Sequence, residues 1–283
     1  MKKLFSIVLA ALMVAALFAG CGSSTAETKA PETTAAPATE AAAPAETEAP
    51  AETEAAAAFT TIEAGKLIMS TNAAFPPYEM VADDGSLEGI DVEIAGAIAK
   101  KLGLELVVDD MDFDAALLAV QQGKSDIVMA GVTVNEDRQM VMNFSDTYSK
   151  GVQVVIVKEG SDVTLDNLGD QMIGTQRGTT GYIYTSGDYG EDHVTAYDNG
   201  ASAVQALMNG QVDCVVIDSA PAQSFVEANP GLVILDTEYT SEDYAIGMSK
   251  DNTALLEAIN GALKELTEDG TIPAIVEKYI PTK

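Results

Sequence analysis

The chain has 283 residues, a length that suits about two domains. Lys and Arg total 15 against 44 Asp and Glu, a net charge of −29. That balance argues against nucleic acid and anionic membrane faces as partners, because both need a basic surface. At 47% hydrophobic residues there is ample material for a core, but it is unevenly spread.

Met1, Lys2 and Lys3 form a positive start, followed by an apolar stretch over 4–19 that contains a single Ser. Sixteen residues are short for a membrane span, which needs about 20. The stretch ends in Ala19-Gly20 before Cys21, the layout of a cleavable secretory signal over 1–20. Residues 17–21 (LFAGC) resemble a bacterial lipobox, with Phe18 where an aliphatic residue is usual. The resemblance implies that Cys21 becomes a lipidated N-terminus carrying palmitate-type chains. Acylation there would leave Cys214 without an intramolecular partner. Cys214 lies in an apolar run and reads as a buried, inert thiol.

Residues 22–58 hold 15 Ala, 7 Glu, 7 Thr and 4 Pro, with no branched aliphatic or aromatic side chain. Such a segment cannot bury enough apolar area to offset its ordering entropy. With Cys21 it reads as a disordered Ala/Glu/Thr/Pro tether over 21–58. The remaining residues 59–283 carry 12 basic and 37 acidic side chains.

From residue 59 onward short β-rich runs alternate with helical patterns. Residues 66–71 predict a strand. Residues 91–102 predict a helix with Ile94, Ile98 and Leu102 on one face. Residues 104–108 predict a strand, 115–122 a helix ended by Gly123, and 126–130 a strand. Residues 151–157 and 214–217 predict further strands. Leu255, Ile259, Leu263 and Leu266 mark a late helix. The alternation argues an α/β architecture with mostly parallel sheets.

The chain also repeats itself. Residues 116–129 match 203–216 at a constant offset of 87, each reading helix, Gly, two residues, Asp, apolar strand. Two similar lobes would place Gly131 and Asp218 at equivalent strand ends. Ligands in open α/β sheets bind beyond the carboxyl ends of strands, so two such ends facing each other would form a cleft. Past Gly131, Thr133 and Glu136 have the spacing of a capping box, which predicts a helix start with Arg138 one turn in. A guanidinium near helix-start amides suits a carboxylate. The bland alternative is a surface Arg paired with Glu136 or Asp137. Asp218 could cap the helix that comes after it or could receive an ammonium group. The TQRGTTG run at 175–181 is either an anion nest or a simple turn.

Several segments taken in order resemble the polar amino-acid solute-binding proteins of bacterial ABC importers. They are NAAFPPYE at 72–79, LEGIDVEI at 87–94, residues 129–138, NFSDTY at 143–148, residues 176–181, residues 212–218 and LKELTEDGTI at 263–272. The resemblance implies a type II periplasmic-binding-protein-like fold, two parallel-dominated sheets joined by two crossover strands. Lobe 1 would be 59–149 and 243–283, and lobe 2 would be 150–242. The crossovers would fall near 148–152 and 240–244. By position, Arg138 would hold a ligand carboxylate with Thr133 and with Thr179 or Thr180. Asp218 would hold the ammonium with the Gly131 carbonyl and the Thr133 hydroxyl. Phe75 and Phe113 would wall the side chain. Asn72 stands where many relatives that bind charged or amide side chains place Asp. Glu79 and Gln176 are further candidates. A neutral polar or moderately apolar amino acid is favoured, and a basic one stays open through Glu79 or Asp112. Arg177 is read as solvated.

The function implied is extracytoplasmic capture of an L-amino acid and delivery to an ABC permease, by a monomer anchored through lipid. A sensing lipoprotein that presents an amino acid to a receptor would use the same residues. A dehydratase-like enzyme on the same scaffold is the weaker alternative. The single His193 and the apolar setting of Cys214 support no Ser-His-Asp or Cys-His constellation, no metal cluster and no cofactor.

Overall fold

The computed structural model describes residues 59–236 and 238–281. The predicted signal, Cys21 and the tether lie outside these residues. In chain order the strands are β1 (Lys66–Thr71), β2 (Ala74–Phe75), β3 (Glu79–Val81), β4 (Leu87–Glu88), β5 (Glu105–Asp110), β6 (Ile127–Val128), β7 (Met142–Lys158), β8 (Ile173–Gln176), β9 (Val194–Tyr197), β10 (Cys214–Asp218), β11 (Leu232–Ile234) and β12 (Thr240–Ser249). The α-helices are α1 (Ile90–Lys101), α2 (Phe113–Gln121), α3 (Glu136–Val141), α4 (Thr180–Tyr189), α5 (Gly200–Met208), α6 (Ser219–Ala228), α7 (Thr253–Glu268) and α8 (Thr271–Tyr279). Among the described residues no helix is long and apolar enough to cross a membrane.

The main sheet runs β5-β1-β6-β12-β7-β10-β8-β9, with β11 against β7. Its two flanks are parallel: β5, β1 and β6 on one side, β10, β8 and β9 on the other. Its middle is antiparallel, because β7 and β12 pair along most of their length. The two predicted crossover segments, 148–152 and 240–244, lie opposite each other in that ladder, Thr240 against Gln153 and Tyr244 against Ser149. Hydrogen bonding therefore runs unbroken from one parallel flank to the other.

Helices cover the flanks for ordinary reasons. On α1, Ile90, Ile94 and Ile98 recur every four residues and are fully buried. Asp91 and Glu93 open that helix, while Lys100 and Lys101 close it, in keeping with its dipole. On α7, Leu255, Ile259, Leu263 and Leu266 all enter the core. Asn252 caps α7 by accepting the Leu255 N–H at 3.3 Å. Strand β10 is buried at every residue, as a strand covered on both faces must be.

Two expectations change. The strand predicted over 151–157 is the second half of the 17-residue β7, whose first half has the polar composition of a loop but pairs with β12. The capping box at Thr133 and Glu136 does not form. Asn135 is the N-cap of α3 and accepts the Arg138 N–H at 2.9 Å. The Thr133 hydroxyl is instead 3.4 Å from the Thr180 hydroxyl.

Candidate functional site

Both repeated units deliver residues from near their strand ends to one cavity. All nine residues expected at the ligand line it: Asn72, Phe75, Phe113, Gly131, Thr133 and Arg138 from one flank, Thr179, Thr180 and Asp218 from the other. Glu79 and Gln176 line it as well. Asp112 and Arg177 do not. Asp112 is exposed, and Arg177 faces solvent near Asp198 at 3.6 Å.

Arg138 is buried, not a surface Arg. One Nη donates to the Thr133 carbonyl at 2.9 Å and the other to the Gly178 carbonyl at 3.2 Å. The Phe113 ring packs on the guanidinium, 5.4 Å from ring centroid to Cζ. Among the described residues it makes no salt bridge within 4 Å. Of its five N–H donors, two are used in these bonds and three remain. Burial lowers its pKa, but a guanidinium stays charged at any ordinary pH. This is a cation placed to receive an anion.

Asp218 ends β10 at the N-cap of α6, yet its side chain makes no capping hydrogen bond. Its carboxylate accepts from the Tyr244 hydroxyl and from the Gln153 amide at 2.9 Å. Gln153 Nε2 also donates to Glu242 Oε2 at 2.9 Å, which Thr180 Oγ1 joins at 3.0 Å. The Gln153 amide group thus bridges two carboxylates, and reversing it would point its oxygen at both. Burial first, and the charge of Glu242 second, push Asp218 up to about 7. A ligand ammonium would relieve that strain.

Two glycines shape these walls. Gly131 has φ 54°, in the left-handed region, and a Cβ there would sit 2.7 Å from the Phe75 ring. Its N–H donates to Asp91 Oδ2 at 3.0 Å. Gly151 in β7 is limited by space: an added Cβ would lie 2.5 Å from the Tyr244 hydroxyl and 2.7 Å from Asp218 Oδ1.

The far wall is acidic. Glu79 is fully buried, and among the described residues neither carboxyl oxygen has a donor. It faces Asp91, whose Oδ2 accepts from the Tyr148 hydroxyl at 2.9 Å and whose Oδ1 has no partner. Burial raises Glu79 well above the carboxylate range and moves Asp91 to about 6. Beside them Asn72 Oδ1 accepts from Gln176 Nε2 at 2.9 Å. That bond, the Arg138–Gly178 bond and the Thr133–Thr180 contact link the two flanks across the cavity.

The residues behind the wall were not legible. Gln153, Glu242, Tyr244, Asp91 and Tyr148 come from strands and a helix far apart in sequence. Only register brings them together, Gln153 lying opposite both Asp218 and Thr240. Asp91 reads locally as an acid favouring a helix start. Cys214 is fully buried, and burial pushes its thiol up to about 12, so it is inert as expected.

Known proteins resemble this chain in sequence and in fold. The chain is 32% identical over 231 residues to a probable histidine-binding protein of Neisseria gonorrhoeae, covering 79% of this chain and 86% of that one. It resembles the arginine-bound form of truncated ArgBP from T. maritima at 40% identity and TM-score 0.68, over 71% of this chain and 96% of that one. It resembles an ancestral arginine-binding protein bound to glutamine at 39% identity and TM-score 0.74, over 77% and 99% of the two chains. The sequence pattern of the bacterial extracellular solute-binding proteins of family 3 matches residues 67–282. The chain therefore belongs to the bacterial extracellular solute-binding proteins, family 3.

Proposed function

We propose that the chain captures a cationic amino acid, arginine foremost, and delivers it to an ABC permease. The carrying observation is Glu79, a buried carboxyl without a donor on the cavity wall. Arg138 suits the ligand carboxylate and Asp218 the ligand ammonium, so the zwitterionic end uses both. The rest of the cavity's surroundings are acidic: Glu79 on the wall, with Asp91 and Glu242 behind it. Phe75 and Phe113 would sandwich the side chain, while Asn72, Gln176 and Glu79 would meet its end. This moves the preference away from the neutral or moderately apolar ligand favoured by sequence. Its reason is the position of Glu79, which motif spacing could not give.

Support for an amino-acid cargo comes from relatives described as binding arginine and histidine. The ladder offers a mechanism. Residues 59–149 and 243–283 form one lobe, 150–242 the other, and the paired segments of β7 and β12 are where they flex. A ligand touching both Arg138 and Asp218 favours the closed arrangement. Thr133, Thr179 and Thr180 supply the remaining polar wall, and the Gly131 carbonyl a further acceptor. In the cell the mature chain begins at a lipidated Cys21, is held off the membrane by the tether and works as a monomer.

The test is titration calorimetry with arginine, lysine, histidine, glutamine, glutamate and leucine, after a thermal-shift screen. Arginine binds tightest, and at 100 times its dissociation constant it stabilises the protein by about 2.7 kcal/mol. Binding of glutamate or leucine in preference to arginine would refute the assignment.

A further inference from the structure

We infer that Glu79 and Asp91 hold one proton between them before ligand enters, and that loss of this proton selects a cationic side chain while its retention selects an amide. The inference rests on the proposal that the cavity takes a cationic amino acid.

The geometry begins with three carboxyl oxygens, both of Glu79 and Oδ1 of Asp91, that are buried and lack donors. Two ionised carboxylates can only accept, so they cannot satisfy each other. One proton changes that, because a carboxylic acid donates to the carboxylate facing it. The other Asp91 oxygen is already committed to the Gly131 N–H and the Tyr148 hydroxyl. That fixes Asp91 as the anion of the pair and Glu79 as the acid.

The surroundings hold the proton in place. The charged or titratable groups that act on Glu79 are Asp91 on α1, Asp110 on β5 and Asp218 on β10. Tyr78, its chain neighbour, and Tyr148 on β7 also feel its charge. None of these is a cation. Burial is the largest cause of its raised pKa, and the Asp91 charge comes next. Arg138 lines the same cavity but belongs to the ligand carboxylate.

A ligand's side chain then decides the proton's fate. An amide matches the acid form: the Glu79 O–H keeps its bond to Asp91, and the Glu79 carbonyl accepts from the amide N–H. A guanidinium offers only donors, which match a carboxylate in two parallel bonds. When a guanidinium enters, the Glu79 O–H bond breaks, its electron pair stays on the carboxylate and the proton goes to the buffer. The ancestral relative bound to glutamine holds an amide ligand on the same fold.

The experiment is calorimetric titration of the protein with arginine and with glutamine, in buffers of different ionisation enthalpy, between pH 6 and 9. Any amino acid releases some proton through Asp218, so the informative quantity is the difference between the two ligands. At pH 7 arginine should release about one proton more than glutamine. The affinity ratio of arginine to glutamine should then rise about tenfold per pH unit until the pair ionises unaided. Glu79→Gln should lower the affinity ratio of arginine to glutamine at least tenfold at pH 7.5 and abolish the excess proton. Equal proton release by the two ligands overturns the inference and leaves the ligand assignment standing. Excess release that survives in Glu79→Gln overturns the choice of Glu79. Binding of neither amino acid overturns the reading beneath it, and the inference with it.

Discussion

The units α2–β6 and α5–β10 share a frame and differ at its end. Each helix is succeeded by a left-handed glycine, Gly123 at φ 66° and Gly210 at φ 72°. Each then supplies an aspartate that ties down a neighbouring strand. Asp126 accepts the N–H groups of Ile62 and Ile68, both at 2.8 Å. Asp213, 87 residues later, accepts the Met172 N–H at 2.8 Å just before β8. β10 then ends in Asp218, while Gly131, at the equivalent position, lies just past the end of β6. One end offers backbone and close approach, the other a carboxylate. The repeat thus builds a symmetric scaffold, and one substitution at each strand end gives the cavity its polarity. The cation comes only on the Gly131 side, on α3.

The comparison can be broken at its polar ends first. Asp218→Ala should cost about 2–5 kcal/mol of arginine binding, measured by calorimetry, because it leaves the ligand ammonium buried and unpaired. An unchanged dissociation constant would remove Asp218 from the site. Next in size is the scaffold itself. Asp126→Ala strands one buried and one part-buried amide and should lower unfolding stability by about 2–3 kcal/mol. Asp213→Ala, exposed and with one amide to satisfy, should cost about 1 kcal/mol. Equal losses in denaturant titrations would mean the two aspartates are not distinguished by burial.

Arg138→Lys keeps the charge but not the fork, and should weaken binding by about 1–2 kcal/mol. Wild-type affinity in that variant would mean that the ligand carboxylate takes only a point charge. A last effect concerns the free protein. Burial places Asp218 at about 7 and Asp91 at about 6, both above their unfolded values. Groups raised in this way contribute stability that is full below the unfolded carboxylate range and is lost as pH climbs through the folded values. The ligand-free protein should therefore melt higher at pH 5 than at pH 7.5. Asp218→Asn should flatten that slope, and a slope unchanged in the variant would count against the assignment.

Much of this was legible because the chain announces its strand ends. Glycine, two residues, an aspartate and an apolar run locate β6 and β10. Spacing alone left Arg138 between a surface Arg and a ligand contact, and Asp218 between a helix cap and an ammonium ligand. The resemblance raised both, and it was also the source of the Phe75 and Phe113 walls, since a single aromatic has no spacing to read. The second row was hidden for a different reason. Gln153 matters because register sets it opposite Asp218, and register between β7 and β10 is not written in either segment alone. The first half of β7 was missed because NFSDTYSK has too few apolar residues to look like a strand. The pattern at Thr133 misled because Asn135, two residues later, captures the helix N–H first.

Gly151 carries a consequence of another kind. Its backbone is not in the left-handed region, so nothing about flexing explains the glycine. It is a notch that seats the Tyr244 hydroxyl against Asp218. A side chain at 151 can be accommodated only if the phenol at 244 shrinks or turns away, and the Asp218 carboxylate then loses one of its two donors. Positions 151, 244 and 218 are thus sterically coupled. A larger residue at 151 is blocked unless position 244 changes in the same step, and a designer retuning the ammonium end of the cavity must weigh the three together.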